Sequence, residues 1–353
     1  MTLVAVVGGP GAPGATSTAV GLLLTWALDR PVPGQGGASG GAGQGHGGRR
    51  VLLAECDPDG GAVAAGTLQG RLSGGIGLHR LAMADRQGRL AEGLDAELVD
   101  LSDGDGSRLL LPGFSDPVQA AGLMWTWEPL AELLAVLEHS TPPCDVIVDL
   151  GRAGAFGPGR VLARRADVVL VVVRGTLRSI SAARPRVAAL RADLDANGTG
   201  ADAVGLVLVE EGPYRASEVG AQLGAPVLGL LPHDPENARV LSDGGEQGRR
   251  FARSGLLRAL RSVGDEASST AMRRRIRIGG DTRPIAQAVP SPSPAPAGVP
   301  GQVQGHGAGP GQAASYGYPG YGSPQQAPPA PAGGVAAHVG PPPTGSVEVH
   351  RGG

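Results

Sequence analysis

The feature that most limits what this chain can fold into is a set of short, almost wholly apolar runs. They lie at 3–7, 51–53, 146–150, 168–173 and 204–209, are rich in Val, Leu and Ile, and are bounded by turn residues; 226–231 is a sixth. A strand with one wet face alternates polar and apolar residues. A continuously apolar strand is buried on both faces, which requires a parallel sheet covered by helices on each side. Helical patterns fall between the runs, at 16–28, 129–138, 180–194 and 216–223. In the second of these, Leu130, Leu133, Leu134 and Leu137 form the stripe of a helix packed on one face. The alternation predicts an α/β fold, a three-layer sandwich around a doubly wound, mostly parallel sheet.

Two segments stand outside that pattern. Residues 31–48 are Gly-rich without apolar periodicity and read as a flexible surface insertion. From residue 267 the periodicity ends, so the expected division is a domain at 1–266 and a tail at 267–353, first basic and then rich in Pro and Gly. From Asp281 onward the chain has 15 Pro and 15 Gly in 73 residues, too little apolar area to offset chain entropy, and disorder is expected there.

Net charge is −2, which excludes a wholly basic nucleic-acid coat. The charge is unevenly spread. Arg249, Arg250, Arg253, Arg258, Arg261, Arg273, Arg274, Arg275 and Arg277 face only Asp265 and Glu266 in their stretch, a local excess of seven positive charges. Its expected form is a final amphipathic helix followed by an exposed basic run at 272–277. Cys56 and Cys144 lack a CxxC partner and read as buried thiols in a reducing compartment. The start of the chain does not read as a signal peptide, and no apolar run approaches the ~18–20 residues of a bilayer span. A cytoplasmic location is expected. The seven His show no metal-ligand spacing.

The chemistry concentrates at the ends of three runs. The first leads into Gly8-Gly9-Pro10-Gly11-Ala12-Pro13-Gly14-Ala15-Thr16-Ser17 and then a helix. Strand, glycine-rich turn and helix N-terminus together make a phosphate cradle, in which free N–H groups and the helix dipole converge on an anion. Such a loop also uses a hydroxyl for Mg²⁺ and a lysine for the β- and γ-phosphates. Thr16 supplies the hydroxyl, but Ala15 stands where the lysine would be. The second run ends in Glu55-Cys56-Asp57 and the third in Asp149-Leu150-Gly151, which brings carboxylates to the edge where open α/β sheets bind ligands.

These residues resemble the MinD/ParA superfamily of deviant Walker-type ATPases, including its TadZ/CpaE branch, over about residues 1–265. GGPGAPGATST is similar to the KGGVGKTT loop, Asp57 to the switch I aspartate, and CDVIVDLG to the Walker B and switch II segment. ADVVLVV at 166–172 and LGAPVLGLLP at 223–232 resemble two later strands, the second carrying a proline, Pro232, near adenine. The resemblance implies ATP or ADP with Mg²⁺ as cofactors. Gly11, Ala12, Pro13, Gly14, Ala15, Thr16, Ser17 and Pro232 would hold the nucleotide, Thr16, Asp57 and Asp149 the metal, and Asp57 would be catalytic in an active enzyme.

The departures set the functional expectation. Aligned on Gly14 and Thr16, the loop lysine is Ala15 and the signature lysine that reaches across the family's dimer is Pro10. All 30 basic residues are arginine, so no lysine elsewhere substitutes. The adenine-reading Asn is also missing near Val209 and Glu210. Phosphoryl transfer depends on positioning and charge neutralisation, so hydrolysis should be impaired or lost while weak nucleotide binding survives. The leading expectation is a spatial regulator or scaffold with a protein partner in pilus or secretion assembly or in septum placement. The basic stretch from Arg249 to Arg277 would meet that partner or an anionic membrane surface, and a homodimer is open. One alternative is an active ATPase using an arginine, with Arg152 as the candidate. Another is a ParA-like partitioning protein whose basic stretch meets non-specific DNA.

Overall fold

A computed structural model describes residues 2–10, 14–29, 48–72, 75–245 and 247–281, with only the backbone of 278–281. Among the described residues eight strands form one sheet: β1 (Leu3–Gly8), β2 (Arg50–Glu55), β3 (Val99–Asp100), β4 (Arg108–Leu111), β5 (Cys144–Asp149), β6 (Val168–Arg174), β7 (Val204–Glu210) and β8 (Val227–Pro232). Their order is β3-β4-β2-β5-β1-β6-β7-β8. Every neighbouring pair is parallel except β3 with β4 at one edge. The doubly wound α/β fold expected from the apolar runs is the one observed.

The six expected runs are β1, β2 and β5 to β8. Their apolar continuity has the anticipated cause, because β1 and β5 are buried along their whole lengths. Successive side chains enter opposite layers. Val169, Val171 and Val173 join the core beneath the helix Leu177–Asn197, and Val168, Leu170 and Val172 join the core beneath α1 (Ala15–Thr25). The pair β3 and β4 was not expected. β3 is two residues long and half exposed, and β4 is four residues long and ends at Pro112, so neither has a run long enough to display a period.

The expected boundary at 267 is corrected. The last helix runs unbroken over Gly255–Asp281, and Leu256, Leu260, Val263, Ala267 and Ala271 bury one stripe of it. This helix lies against α1 and β8 at contact distance. A methyl on Gly21 would stand 2.4 Å from Leu260 Cδ1, and one on Gly229 would stand 2.4 Å from Val263 Cγ2. Small residues on the sheet side therefore set how close the helix comes.

The expected exposed basic run at 272–277 is corrected in part: Met272, Arg273, Ile276 and Arg277 are exposed, whereas Arg274 and Arg275 turn toward the sheet. Arg274 is only 5% exposed and donates to the carbonyls of Asp167 and Thr199 and to Asp202. Arg275 pairs with Asp167 and Glu138, and Arg277 with Asp202. Asp167 in turn accepts from the N–H of Leu3. These arginines clamp the helix to the N-terminal edge of the sheet. Arg249, Arg250, Arg253 and Arg258 remain exposed, with no ion pair among the described residues. The insertion at 31–47 and the tail at 282–353 lie outside the described residues.

Candidate functional site

The site lies at the C-terminal edge of the central strands. The turn after β1 is fixed at its base, where Gly8 N–H donates to the Gly151 carbonyl at 2.7 Å and Gly9 N–H to that of Val172 at 2.8 Å. At its far end Gly14 has φ of 127°, a conformation closed to L-side chains, and its carbonyl accepts the first bond of α1 from Thr18 at 2.8 Å. Gly11, Ala12 and Pro13 lie outside the described residues. No acidic residue occupies the first turn of α1, so its N–H groups and dipole face the loop without a built-in anion. Ala15 is buried in the α1 layer, and Pro10 shares a small pocket with Phe156 and Arg186.

Three carboxylates reach this edge, each in a different state. Glu55 is fully enclosed and structural: Oε1 accepts from the N–H groups of Ala62 and Val63 at 2.8 and 2.9 Å, and Oε2 from Gly113 at 3.1 Å. Burial raises its pKa against those three donors. The sequence placed it with the other carboxylates at the ligand-binding edge, and three backbone donors from the following Gly-rich turns make it structural. Asp57 accepts from Asp59 N–H at 2.9 Å, and its pKa is raised mainly by burial. Asp149 is enclosed, and burial pushes it up to about 7 while the Thr16 hydroxyl and Gly151 N–H pull it down. Gly151 donates to Oδ1 at 3.0 Å, whereas Oδ2 is buried with no hydrogen-bond partner.

That orphaned oxygen is the test of whether a cation fits. A buried carboxylate oxygen without a donor, beside a threonine hydroxyl at a helix N-terminus, is the donor set of a hard cation that keeps several waters. No cluster of three or more His, Cys, Asp or Glu among the described residues could cage a metal alone. The residues therefore fit a Mg²⁺ that arrives with a phosphate, with Thr16 and Asp149 nearest and Asp57 beside them.

A cavity of about 450 Å³ opens next to α1. Gly14, Ser17 and Thr18 line one end, while Val209, Leu231, Leu241, Leu256 and Leu260 make the rest largely apolar, with Pro232 at the rim. The fold thus joins loop residues to Pro232, which are more than 200 positions apart in sequence. Arg152 does not join them. Its side chain is 66% exposed and lies 4.0 Å from Asp59. Two arginines line the cavity, the exposed Arg239 and the half-buried Arg174 at the end of β6, and neither was expected from the sequence.

With this geometry in hand, similarity to solved structures places the architecture. A ParA family ATPase from Chlorobium tepidum superposes with TM-score 0.53 at 13% identity, over 74% of this chain and 98% of that one. The fold is that of the ParA and MinD ATPases. MinD complexed with Mg-ADP from Pyrococcus horikoshii matches with TM-score 0.53 at 17% identity, over 77% of this chain and 97% of that one. The MinC:MinD cell division complex of Aquifex aeolicus matches with TM-score 0.53 at 15% identity, over 76% and 96%. No protein-family model and no curated protein matches the sequence. Cys56 and Cys144 are buried and free, and no described helix is long and apolar enough to cross a membrane.

Proposed function

We propose that this chain binds ATP or ADP with Mg²⁺ weakly, hydrolyses it little, and acts through its surfaces as a spatial regulator or scaffold. The observation that carries the reading is the divided state of the site. Gly14, Thr16 and the orphaned Asp149 Oδ2 retain the anion and cation geometry, yet Ala15 and Pro10 supply no charge. Gly14 and the N-terminus of α1 would receive the phosphate, Thr16 and Asp149 would hold the cation, and Pro232 with the apolar wall would cover the base. A bound Mg²⁺ would supply charge neutralisation for the phosphates. Without a lysine at the loop, the developing charge of phosphoryl transfer is under-compensated, and turnover falls by the orders of magnitude such groups contribute.

The likeness to MinD with Mg-ADP supports the ligand class, and that to a MinC:MinD complex supports a protein partner. We assign the partner to a division, pilus or secretion system, with a TadZ/CpaE-like role as the finer form. We place the chain in the cytoplasm, with peripheral recruitment through Arg249, Arg250, Arg253 and Arg258 and a homodimer as the assembled state. The test is fluorescent-ADP binding and steady-state ATP hydrolysis by the full chain and by Thr16→Ala. Mg²⁺-dependent binding that Thr16→Ala weakens, with hydrolysis near background, is the expected result. A robust rate that vanishes in Thr16→Ala would establish an active ATPase instead. Retention of the chain on duplex DNA that disappears on replacing the four arginines would favour the partitioning role.

A further inference from the structure

The cavity beside α1 contains a cation that neither the loop nor the expected set of site residues provided. Arg174 is the last residue of β6, and by strand parity it follows Leu170 and Val172 onto the α1 side of the sheet. The same parity carries Val209 of β7 to that side, with Glu211 just past the strand end, and Leu231 of β8, with His233 just past it. Register completes the cluster, since Arg174 lies opposite Val209, and Glu210 opposite Pro232. Arg174 and His233 share the cavity wall with Gly14, Ser17 and Thr18.

The way Arg174 is held leaves it available. Its backbone is fixed, because its N–H donates to the buried Ser179 hydroxyl at 3.2 Å. Its guanidinium lies 3.0 Å from Glu211 Oε2, and His233 Nδ1 lies 3.6 Å from the same oxygen. That oxygen is nevertheless buried without an aligned hydrogen bond. The pair is one of charge alone, and among the described residues the guanidinium makes no side-chain hydrogen bond. Its donors are therefore free for an anion that enters the cavity. The same cavity offers an apolar wall for a flat ring and, for an anion, both the N-terminus of α1 and Arg174.

We propose that Arg174 is the phosphate-facing cation of this cavity, parked on Glu211 until a nucleoside di- or triphosphate displaces that carboxylate. The proposal rests on the nucleotide reading above and adds to it the residue that replaces the missing loop charge. Arg152 is exposed, lies beside Asp59 and does not line this cavity.

The experiment is titration calorimetry of the full-length protein with Mg-ADP and, separately, with adenosine, which lacks the phosphate. The variants are Arg174→Ala, Arg174→Gln, Arg174→Lys and Glu211→Gln, each checked by circular dichroism melting. A charge-assisted contact to phosphate predicts a ten- to hundredfold loss of Mg-ADP affinity in Arg174→Ala and Arg174→Gln. Adenosine affinity should stay within about twofold of wild type in the same proteins. Arg174→Lys should recover part of the loss, and Glu211→Gln should tighten Mg-ADP severalfold by removing the competing carboxylate. Unchanged Mg-ADP affinity in both charge-removing variants overturns the proposal and leaves the nucleotide reading intact. Equal loss of ADP and adenosine also overturns it, since Arg174 would then only support the cavity wall. Absence of Mg-ADP binding by the wild-type chain overturns the nucleotide reading and the proposal together.

Discussion

Asp57 and Gly151 are packed face to face: a methyl group built on Gly151 would fall 1.8 Å from Asp57 Oδ2. The glycine follows β5 by two residues and has φ of +53°. It serves two ends, allowing a left-handed turn and leaving room for a carboxylate that arrives from a different strand. The carboxylates of β2 and β5 share one edge because the residue between them has no side chain.

Gly151→Ala should therefore destabilise the fold and displace Asp57. Left-handed strain and the steric conflict together should cost about 2–4 kcal/mol, read as a lower midpoint in denaturant melts. Mg²⁺-dependent nucleotide binding should weaken more than the stability loss alone would produce, and an unaltered ADP affinity would show that Asp57 does not serve the site.

Asp149 gives a pH signature. Its pKa is pushed up to about 7 by burial, against about 3.9 in an unfolded chain. Between those values the folded protein holds a proton that the unfolded chain has released, so its contribution to stability falls as pH rises from 4 to 7 and is level above that. Asp149→Asn should remove this fall. The variant should gain stability relative to wild type as pH rises from 5 to 8, by roughly 2–3 kcal/mol from the part of the shift that lies in that window, and should lose Mg²⁺-dependent binding. Parallel melting profiles for the two proteins would mean that Asp149 titrates normally.

Arg274 should behave as a core residue. Truncation to Ala leaves two carbonyls, those of Asp167 and Thr199, without a donor at a buried helix contact, a loss of about 3 kcal/mol. Replacing the exposed Arg249, Arg250 and Arg253 with Ser should change stability by about 0.5 kcal/mol or less. Chemical denaturation of the two variants compares them directly. A recruitment experiment belongs on the second set, because altering 273–277 would confound loss of partner with loss of the helix clamp.

Restoring charge to the loop is the converse test of its loss. Pro10→Lys combined with Ala15→Lys should raise affinity for Mg-ADP by about tenfold, the value of one charge-assisted phosphate contact. The gain should shrink as salt rises, because counterions screen the attraction between lysine and phosphate, over ~8 Å at physiological ionic strength. A double variant that binds no tighter, while melting like wild type, would show that charge at these two positions does not limit binding.

The apolar runs determined the sheet by themselves. Five of the strands, β1, β2 and β5 to β7, are buried on both faces along nearly their whole lengths, and a chain segment with no polar side to offer water can form only the interior of a covered sheet; β8, at the edge, keeps Leu230 exposed. The loop between β1 and α1, and the acids at the ends of β2 and β5, were legible for a related reason. Gly14 and Asp149 stand at fixed offsets from strand ends, and strand ends are set by local pattern. What the tertiary structure decided depends on contacts between distant segments. β3 and β4 exist because β2 offers β4 an edge to pair with, and Arg108–Leu111 alone is too short to show a period. The last helix continues past 267 because Ala267 and Ala271, weak signals in sequence, pack beneath it. Arg274 leaves the solvent only because the carbonyls of Asp167 and Thr199 converge on it, and Arg174 enters the cavity only because β6, β7 and β8 end side by side. Charge in a sequence is a count; whether it is solvated, clamped or aimed at a ligand depends on which distant atoms the fold brings within about 3 Å of it.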